Sequence, residues 1–257
     1  MSWLAARVYL AATDLVAALS FYTRLPVRRA ASCDGAAIAR AGWAAPLIGA
    51  GIGGCGAFVY LGAHAAGMPP LVAAAAALAA TAMLTGCLHE DGLADTADGF
   101  GGGATRERKL EIMRDSRIGT YGVCALIVAM LARAGAVAAL TEPALVAPVL
   151  IGAHAAARAP LPAFMWFVRP ARRDGLAALA GAPPRISVLA AAVIGVAALF
   201  VALGVAKALI ALTLVCAVST LIGLLCIRQI GGQTGDVLGA VEQVNEIAVL
   251  AAALVRP

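Results

Sequence analysis

The chain has 257 residues, 62% of them hydrophobic and 13% charged, with a mean hydropathy of +0.92. Soluble domains are nearer half apolar and carry about twice this charged fraction, so a water-soluble fold is excluded. The net charge of +5 says less than the placement of the charges.

Crossing a bilayer takes about twenty apolar residues. Such windows run over 42–64, 69–88, 119–140, 143–167, 186–205 and 207–227, with weaker ones at 3–22 and 237–255 that carry ionisable residues. The pattern predicts an all-α integral membrane protein: a polytopic bundle of six to eight transmembrane helices with a charged motif at one face, in a single catalytic domain over 1–257. Window 3–22 is interrupted by Arg7 and Asp14 and reads as a first membrane segment rather than a signal peptide. The abundance of alanine and glycine predicts close helix packing through small surfaces.

Basic residues follow the spans in strict alternation. Arg24, Arg28, Arg29 and Arg40 lie between the first two windows, and Arg106, Arg108, Lys109, Arg114 and Arg117 between the third and fourth. Arg169, Arg172, Arg173 and Arg185 follow the fifth, and Arg228 the seventh, whereas the alternate loops hold only Lys207. The positive-inside rule therefore predicts that the face carrying residues 89–119 is cytoplasmic. Cys33, Cys55, Cys87, Cys124, Cys216 and Cys226 form no CxxC pair and read as small buried hydrophobes.

The segment HEDGLADTADGFGGGATRERKLEIMRDSRIG, residues 89–119, is the one strongly charged stretch. Asp91, Asp95 and Asp98 stand at i, i+4 and i+7, on one side of a helix. Their mutual repulsion would be relieved by a divalent cation, and hard oxygen ligands suit magnesium or manganese. Glycines 92, 99, 101, 102 and 103 are expected to release the chain, either as a loop whose N–H groups approach a phosphate or as a hinge. Beyond them Glu107, Glu111 and Asp115 are expected to share a second acidic helix face, with the intervening Arg and Lys residues on phosphate oxygens. An ordinary solvated loop laced by ion pairs is the bland alternative. Within the windows, Arg133, His154, Arg158, Glu242 and Glu246 each need a partner or a wet cavity. Arg158, beside Pro160 and Pro162, suits either a substrate phosphate or a structural pair with Glu242 or Glu246, and His154 reads as a helix–helix hydrogen bond. At 231–240, GGQTGDVLGA is either a tight turn or a loop that brings Thr234 and Asp236 to the site.

FYTRLP at 21–26, TGCLHEDGLADTADGFGGG at 85–103, RERKLEIMRDSRIGTYG at 106–122 and GGQTGDVLGA at 231–240 together resemble the cobalamin synthase family, the adenosylcobinamide-GDP ribazoletransferases, over nearly the whole chain. The resemblance implies a magnesium-dependent enzyme of the bacterial cytoplasmic (inner) membrane. Its corrinoid and nucleoside substrates are adenosylcobinamide-GDP and α-ribazole or its 5′-phosphate, joined with release of GMP. It implies a lipid environment, no nucleic acid and no cobalt ligand from the protein. A homodimer is compatible with the small-residue helix faces. The ribose 3′-hydroxyl would attack the phosphate next to the aminopropanol arm of cobinamide, a step governed by positioning and charge neutralisation. On this reading Asp91, Asp95 and Asp98 hold the metal with Glu90 or Glu111 as a further ligand or water-orienter, and Asp115 takes the hydroxyl proton. Arg106, Arg114 and Arg117 hold phosphates, with Arg158, Thr234 and Asp236 as further substrate contacts.

Two rivals remain at this stage. The chain is similar to CDP-alcohol phosphotransferases at Asp95-Thr-Ala-Asp98-Gly99, but the Ala-Arg of their signature is missing and Glu107 stands where a glycine is expected. A divalent-cation transporter would place its acids near the bilayer midplane rather than among five Arg and Lys at a membrane face.

Overall fold

The computed structural model describes residues 3–27, 35–140 and 142–255, so Arg28, Arg29 and Cys33 lie outside the described residues. Among these the chain is helical throughout: α1 (Trp3–Tyr22), α2 (Gly35–Arg40), a 3-10 turn (Ala41–Ala44), α3 (Ala45–Ala65), α4 (Pro70–Thr85), α5 (Leu88–Gly102), α6 (Arg106–Ile112), α7 (Thr120–Ala139), α8 (Pro143–Arg158), α9 (Leu161–Phe167), α10 (Leu176–Ala180), α11 (Arg185–Ile230) and α12 (Gly235–Leu254). Among the described residues five stretches are long and apolar enough to cross a membrane, at 35–65, 120–139, 143–167, 185–230 and 235–254, and α4 with α5 forms a sixth only as a pair bent by 90°.

The 46 residues of α11 are two spans. A straight helix of that length would reach about 70 Å, more than twice the hydrocarbon thickness. Gly204 has φ 71° and ψ 173°, a conformation open to glycine, and the chain reverses there. Before it, Gly195 packs on Ala159 and Ala202 on Gly152, antiparallel to α8. After it, Lys207 donates to the Ala253 carbonyl and Ser219 accepts from Asn245, antiparallel to α12. Since α12 itself runs antiparallel to α8, the two halves of α11 point in opposite directions. The windows at 186–205 and 207–227 thus correspond to two spans joined at Gly204.

Small residues set the packing as expected. A Cβ added at Gly49 or Gly53 of α3 would strike the backbone of α8 at His154 or Leu150. The bundle's main apolar cluster gathers Tyr60, Val137, Leu150, Leu199 and Val249 from five helices. Window 3–22 is a helix, and α1 is tied to the turn after α2 by Asp14, whose carboxylate accepts from Arg40 Nε at 2.8 Å and Trp43 Nε1 at 3.1 Å.

Gly86 and Cys87 take φ of 66° and 58°, and these two successive left-handed residues turn the chain sharply after α4. As a result α5 lies at 90° to α4, where the carboxyl end of α8 and the amino ends of α7 and α12 meet it.

Candidate functional site

Two successive residues of α5 face different surroundings, because neighbours on a helix are about 100° apart. Glu90 is 6% exposed and points into the bundle; Asp91 is exposed. Beneath α5 lies a buried polar network. Arg133 of α7 donates to Glu246 at 2.9 Å, to Gln243 at 2.9 Å and to Glu90 at 3.1 Å. Arg158 of α8 pairs with Glu242 at 2.6 Å and reaches His89 Nδ1 at 3.4 Å, while His154 Nδ1 stands 3.2 Å from Glu246. Gln243 donates to both Glu90 and Glu242. Every charged group at this depth therefore has an opposite charge beside it, the condition under which such groups are tolerated in a membrane.

This network corrects two expectations. Arg158 is 1% exposed and spent on Glu242, so it is a structural partner and not a substrate contact. His154 makes no hydrogen bond to another helix: its Nδ1 meets Arg158 Nη1 of its own helix at 3.2 Å, and it lies beside Glu246 of α12 as a charge neighbour only. His154, Glu242 and Glu246 also bring donor atoms within 4.8 Å of one another, yet Arg133 and Arg158 already balance these carboxylates.

The glycines of the acidic motif are contact points, not hinges, and α5 runs unbroken through Gly102. Gly92 lies on Gly239 of α12; a Cβ at Gly92 would stand 2.7 Å from the Asp236 carbonyl oxygen. Gly99 and Gly101 admit Met113 and Tyr121 in the same way. Asp98 turns to α7, where its two oxygens accept from Gly119 N at 2.7 Å and Gly122 N at 2.8 Å. These are orphan donors of a helix amino terminus, so Asp98 acts as a cap. Among the four carboxylates expected to bind metal, Glu90 and Asp98 are thus engaged by the protein itself. Among the described residues the carboxylates of Asp91 and Asp95 make no hydrogen bond or ion pair, and Asp236 stands beside the Gly92–Gly239 crossing. Partial burial and the neighbouring Asp91, Asp236 and Asp98 raise Asp95 to about 7. Hard carboxylate oxygens of this kind are the type of ligand that magnesium or manganese takes, but among the described residues those of Asp91, Asp95 and Asp236 do not converge within 4.8 Å of one another.

The second acidic face does not form. Helix α6 ends at Ile112, which leaves Asp115 beyond it and off the face of Glu107 and Glu111. Both glutamates point outward, to Arg106 at 3.6 Å and Arg108 at 2.8 Å. Arg106 itself donates to the carbonyls of Ile230 at 2.8 Å and Ala171 at 2.5 Å, tying α6 to the end of α11. Arg114 makes a two-pronged bond to Asp174 at 2.6 and 2.5 Å. Asp115 is locked to Arg117 at 2.7 and 3.0 Å, and those bonds hold its carboxyl down at about 2.

The loop after α9 supplies groups that sequence reading left out. Gln233 N donates to Arg169 O at 2.9 Å and Ala171 N to Gln233 O at 2.8 Å, a short parallel bridge between two loops. It brings Arg172 Nη2 to 3.7 Å from Asp236. Thr234 caps α12, accepting from Val237 N at 3.3 Å, and donates to Asp236 at 3.1 Å. No periodicity marks residues 169–174; only their basic character was visible.

Two cavities flank α5. One, of about 250 Å³, is lined by His89, Asp91, Arg172, Gln233 and Asp236 with apolar side chains behind them. The other, of about 660 Å³, is lined by Asp91, Asp95, Arg114 and Asp115. Asp91 belongs to both walls.

The profile of the cobalamin-5-phosphate synthase family matches residues 14–254. The chain is similar to an adenosylcobinamide-GDP ribazoletransferase of Bradyrhizobium diazoefficiens, 57% identical over 92% of this chain and 91% of that one. It is also similar to proteins of the same description from Mesorhizobium japonicum, at 48% over 94% and 93% of the two chains, and Azorhizobium caulinodans, at 47% over 94% and 95%. No solved structure matches.

Proposed function

The chain belongs to the cobalamin-5-phosphate synthase family and is a transferase of cobalamin biosynthesis, and from that premise we propose that it joins adenosylcobinamide-GDP to α-ribazole or α-ribazole 5′-phosphate and releases GMP. The observation that supports this most directly is Asp91, shared by two cavities with Asp95 and Asp236 beside it. A lipid synthase and a cation transporter both lose their ground to the family assignment.

The reaction is a displacement at phosphorus. A bond forms from the acceptor's ribose 3′-oxygen to the phosphate on the cobinamide arm, the bond from that phosphorus to GMP breaks, and the hydroxyl proton leaves. Asp91, Asp95 and Asp236 would hold magnesium, which when bound supplies positive charge to the diphosphate as negative charge moves to the leaving group. Glu90 and Asp98 support this set from behind: Glu90 anchors α5 to Arg133 and Gln243, and Asp98 fixes it to α7. Arg114, on the wall of the larger cavity, offers a guanidinium to the donor's phosphates at the cost of its bond to Asp174. Asp115 is a weak base while Arg117 holds it at about 2, so its place here is to orient Arg117. The proton passes to whichever carboxylate at the shared wall is left free of the metal. With the basic residues gathered at this end of the bundle and Lys207 at the other, the site faces the cytoplasm.

The test is turnover by protein in nanodiscs given adenosylcobinamide-GDP and α-ribazole 5′-phosphate, with and without magnesium, followed by mass spectrometry. Magnesium-dependent appearance of GMP and the joined corrinoid supports the reading. Folded protein that forms neither product sinks it.

A further inference from the structure

The smaller cavity has an unlike lining. Phe21, Leu161, Pro162 and Met165 supply apolar surface, while Arg172, Gln233 and Thr234 are polar, with Asp91, Asp174 and Asp236 beside them. The Arg172 side chain is only 19% exposed, and the carboxylates nearest it, Asp236 and Asp174, lie 3.7 and 3.9 Å away, beyond hydrogen-bond reach. Its Nη1 is buried without a hydrogen-bond partner. Gln233 is 1% exposed and its Oε1 likewise has none. A mostly desolvated guanidinium that lines a cavity and makes no side-chain hydrogen bond among the described residues is costly unless a ligand completes it.

We propose that this cavity takes the acceptor as a nucleoside 5′-monophosphate, with its base among the apolar side chains and its phosphate on Arg172, and that Arg172 sets the preference for the phosphorylated acceptor. This rests on the transferase reading above. Size and polarity assign the occupant. At about 250 Å³ the cavity falls just below the usual range for small-molecule sites, room for one small nucleotide and far too little for a corrinoid. A guanine base would leave its ring donors and acceptors unpaired against the apolar side chains, whereas a benzimidazole presents a hydrocarbon edge there. Arg172 and Asp91 line the same cavity, so a nucleotide held by its phosphate at Arg172 has its sugar within the space that leads to the shared wall. The donor, with its corrin and guanosine, is left the larger cavity and the open face beside it.

The experiment compares α-ribazole 5′-phosphate with α-ribazole in nanodisc-embedded wild type, Arg172→Lys and Arg172→Met. For Arg172→Met, kcat/KM should fall about tenfold to a hundredfold more with the phosphorylated acceptor than with the unphosphorylated one, the size of a hydrogen bond to a charged group. Arg172→Lys should recover part of the loss. Retained turnover of α-ribazole serves as the control for folding. An equal fall with both acceptors overturns the proposal and moves Arg172 to the donor's diphosphate or to a structural role. Calorimetric binding without donor gives an independent reading: wild type should bind the phosphorylated acceptor at least tenfold more tightly, and equal affinities overturn the proposal. Inorganic phosphate should compete with the phosphorylated acceptor alone; competition with both acceptors equally counts against it. Absence of turnover by wild type with either acceptor would instead sink the transferase reading itself.

Discussion

Gly92 of α5 rests directly on Gly239 of α12, so closely that a Cβ on either would stand 3.1 Å from the other's Cα. This one crossing carries the acidic motif at 89–98 to Asp236, although nearly a hundred and fifty residues of chain separate them. It also seats Glu90 over Gln243.

Gly92→Val tests the crossing. The added side chain meets α12 backbone, not the end of a flexible side chain, so the helices must part. Overpacking of this kind costs about 1–3 kcal/mol. The expected outcome is a lowered melting temperature in detergent and loss of most turnover. Wild-type activity would show that the spacing of α5 and α12 is immaterial to the site.

Asp91→Asn should separate function from stability. Asp91 is exposed and has no partner among the described residues, so its loss should change stability by no more than about 0.5 kcal/mol. Turnover should nevertheless fall by orders of magnitude, together with magnesium affinity. Normal turnover in the variant would remove Asp91 from the site.

Asp98→Ala should behave in the opposite manner. Its carboxylate closes the amino end of α7 through Gly119 and Gly122, and loss of such a cap costs about 0.5–2 kcal/mol. Thermal unfolding should register the full effect. If stability is unchanged while magnesium affinity collapses, Asp98 is a metal ligand after all.

Arg158→Leu leaves Glu242 buried without its guanidinium, a change worth about 3–5 kcal/mol. The variant should insert poorly or unfold at lower temperature. A stable protein with a raised KM for substrate would restore Arg158 to the site from which the ion pair removes it.

Asp115 has a folded-state pKa of about 2, below its ordinary 3.8, because Arg117 donates to it. The carboxylate form is favoured by folding, so this contribution is present above about 3.8 and fades as pH falls toward about 2. In Arg117→Ala the carboxyl should titrate near its ordinary value, as isotope-edited infrared spectroscopy can record. The acid limb of turnover should keep its position in Asp115→Asn; a shift would make Asp115 the base.

The all-helical apolar bundle and the alternation of basic residues between its helices could be read from the sequence, although the window at 69–88 gave no sign of the 90° bend between α4 and α5. The alternative of a buried pair for Arg158 was legible too. These follow from local properties: hydropathy summed over a window, charge per loop and spacing along one helix. The glycines were misread because spacing shows only that a residue is small, not what rests against it. Gly99 and Gly101 accommodate Met113 and Tyr121, and α5 continues through both. Periodicity placed Asp91, Asp95 and Asp98 on one side of a helix, but not what each would meet there. Tertiary structure alone decided that Asp98 is consumed by α7 and Glu90 by Arg133, that Asp115 lies past the end of α6, and that Arg172 enters the site by the pairing of its loop with Gln233. Which carboxylates remain free depends on donors brought from distant helices, and that is set by how small residues let those helices pack.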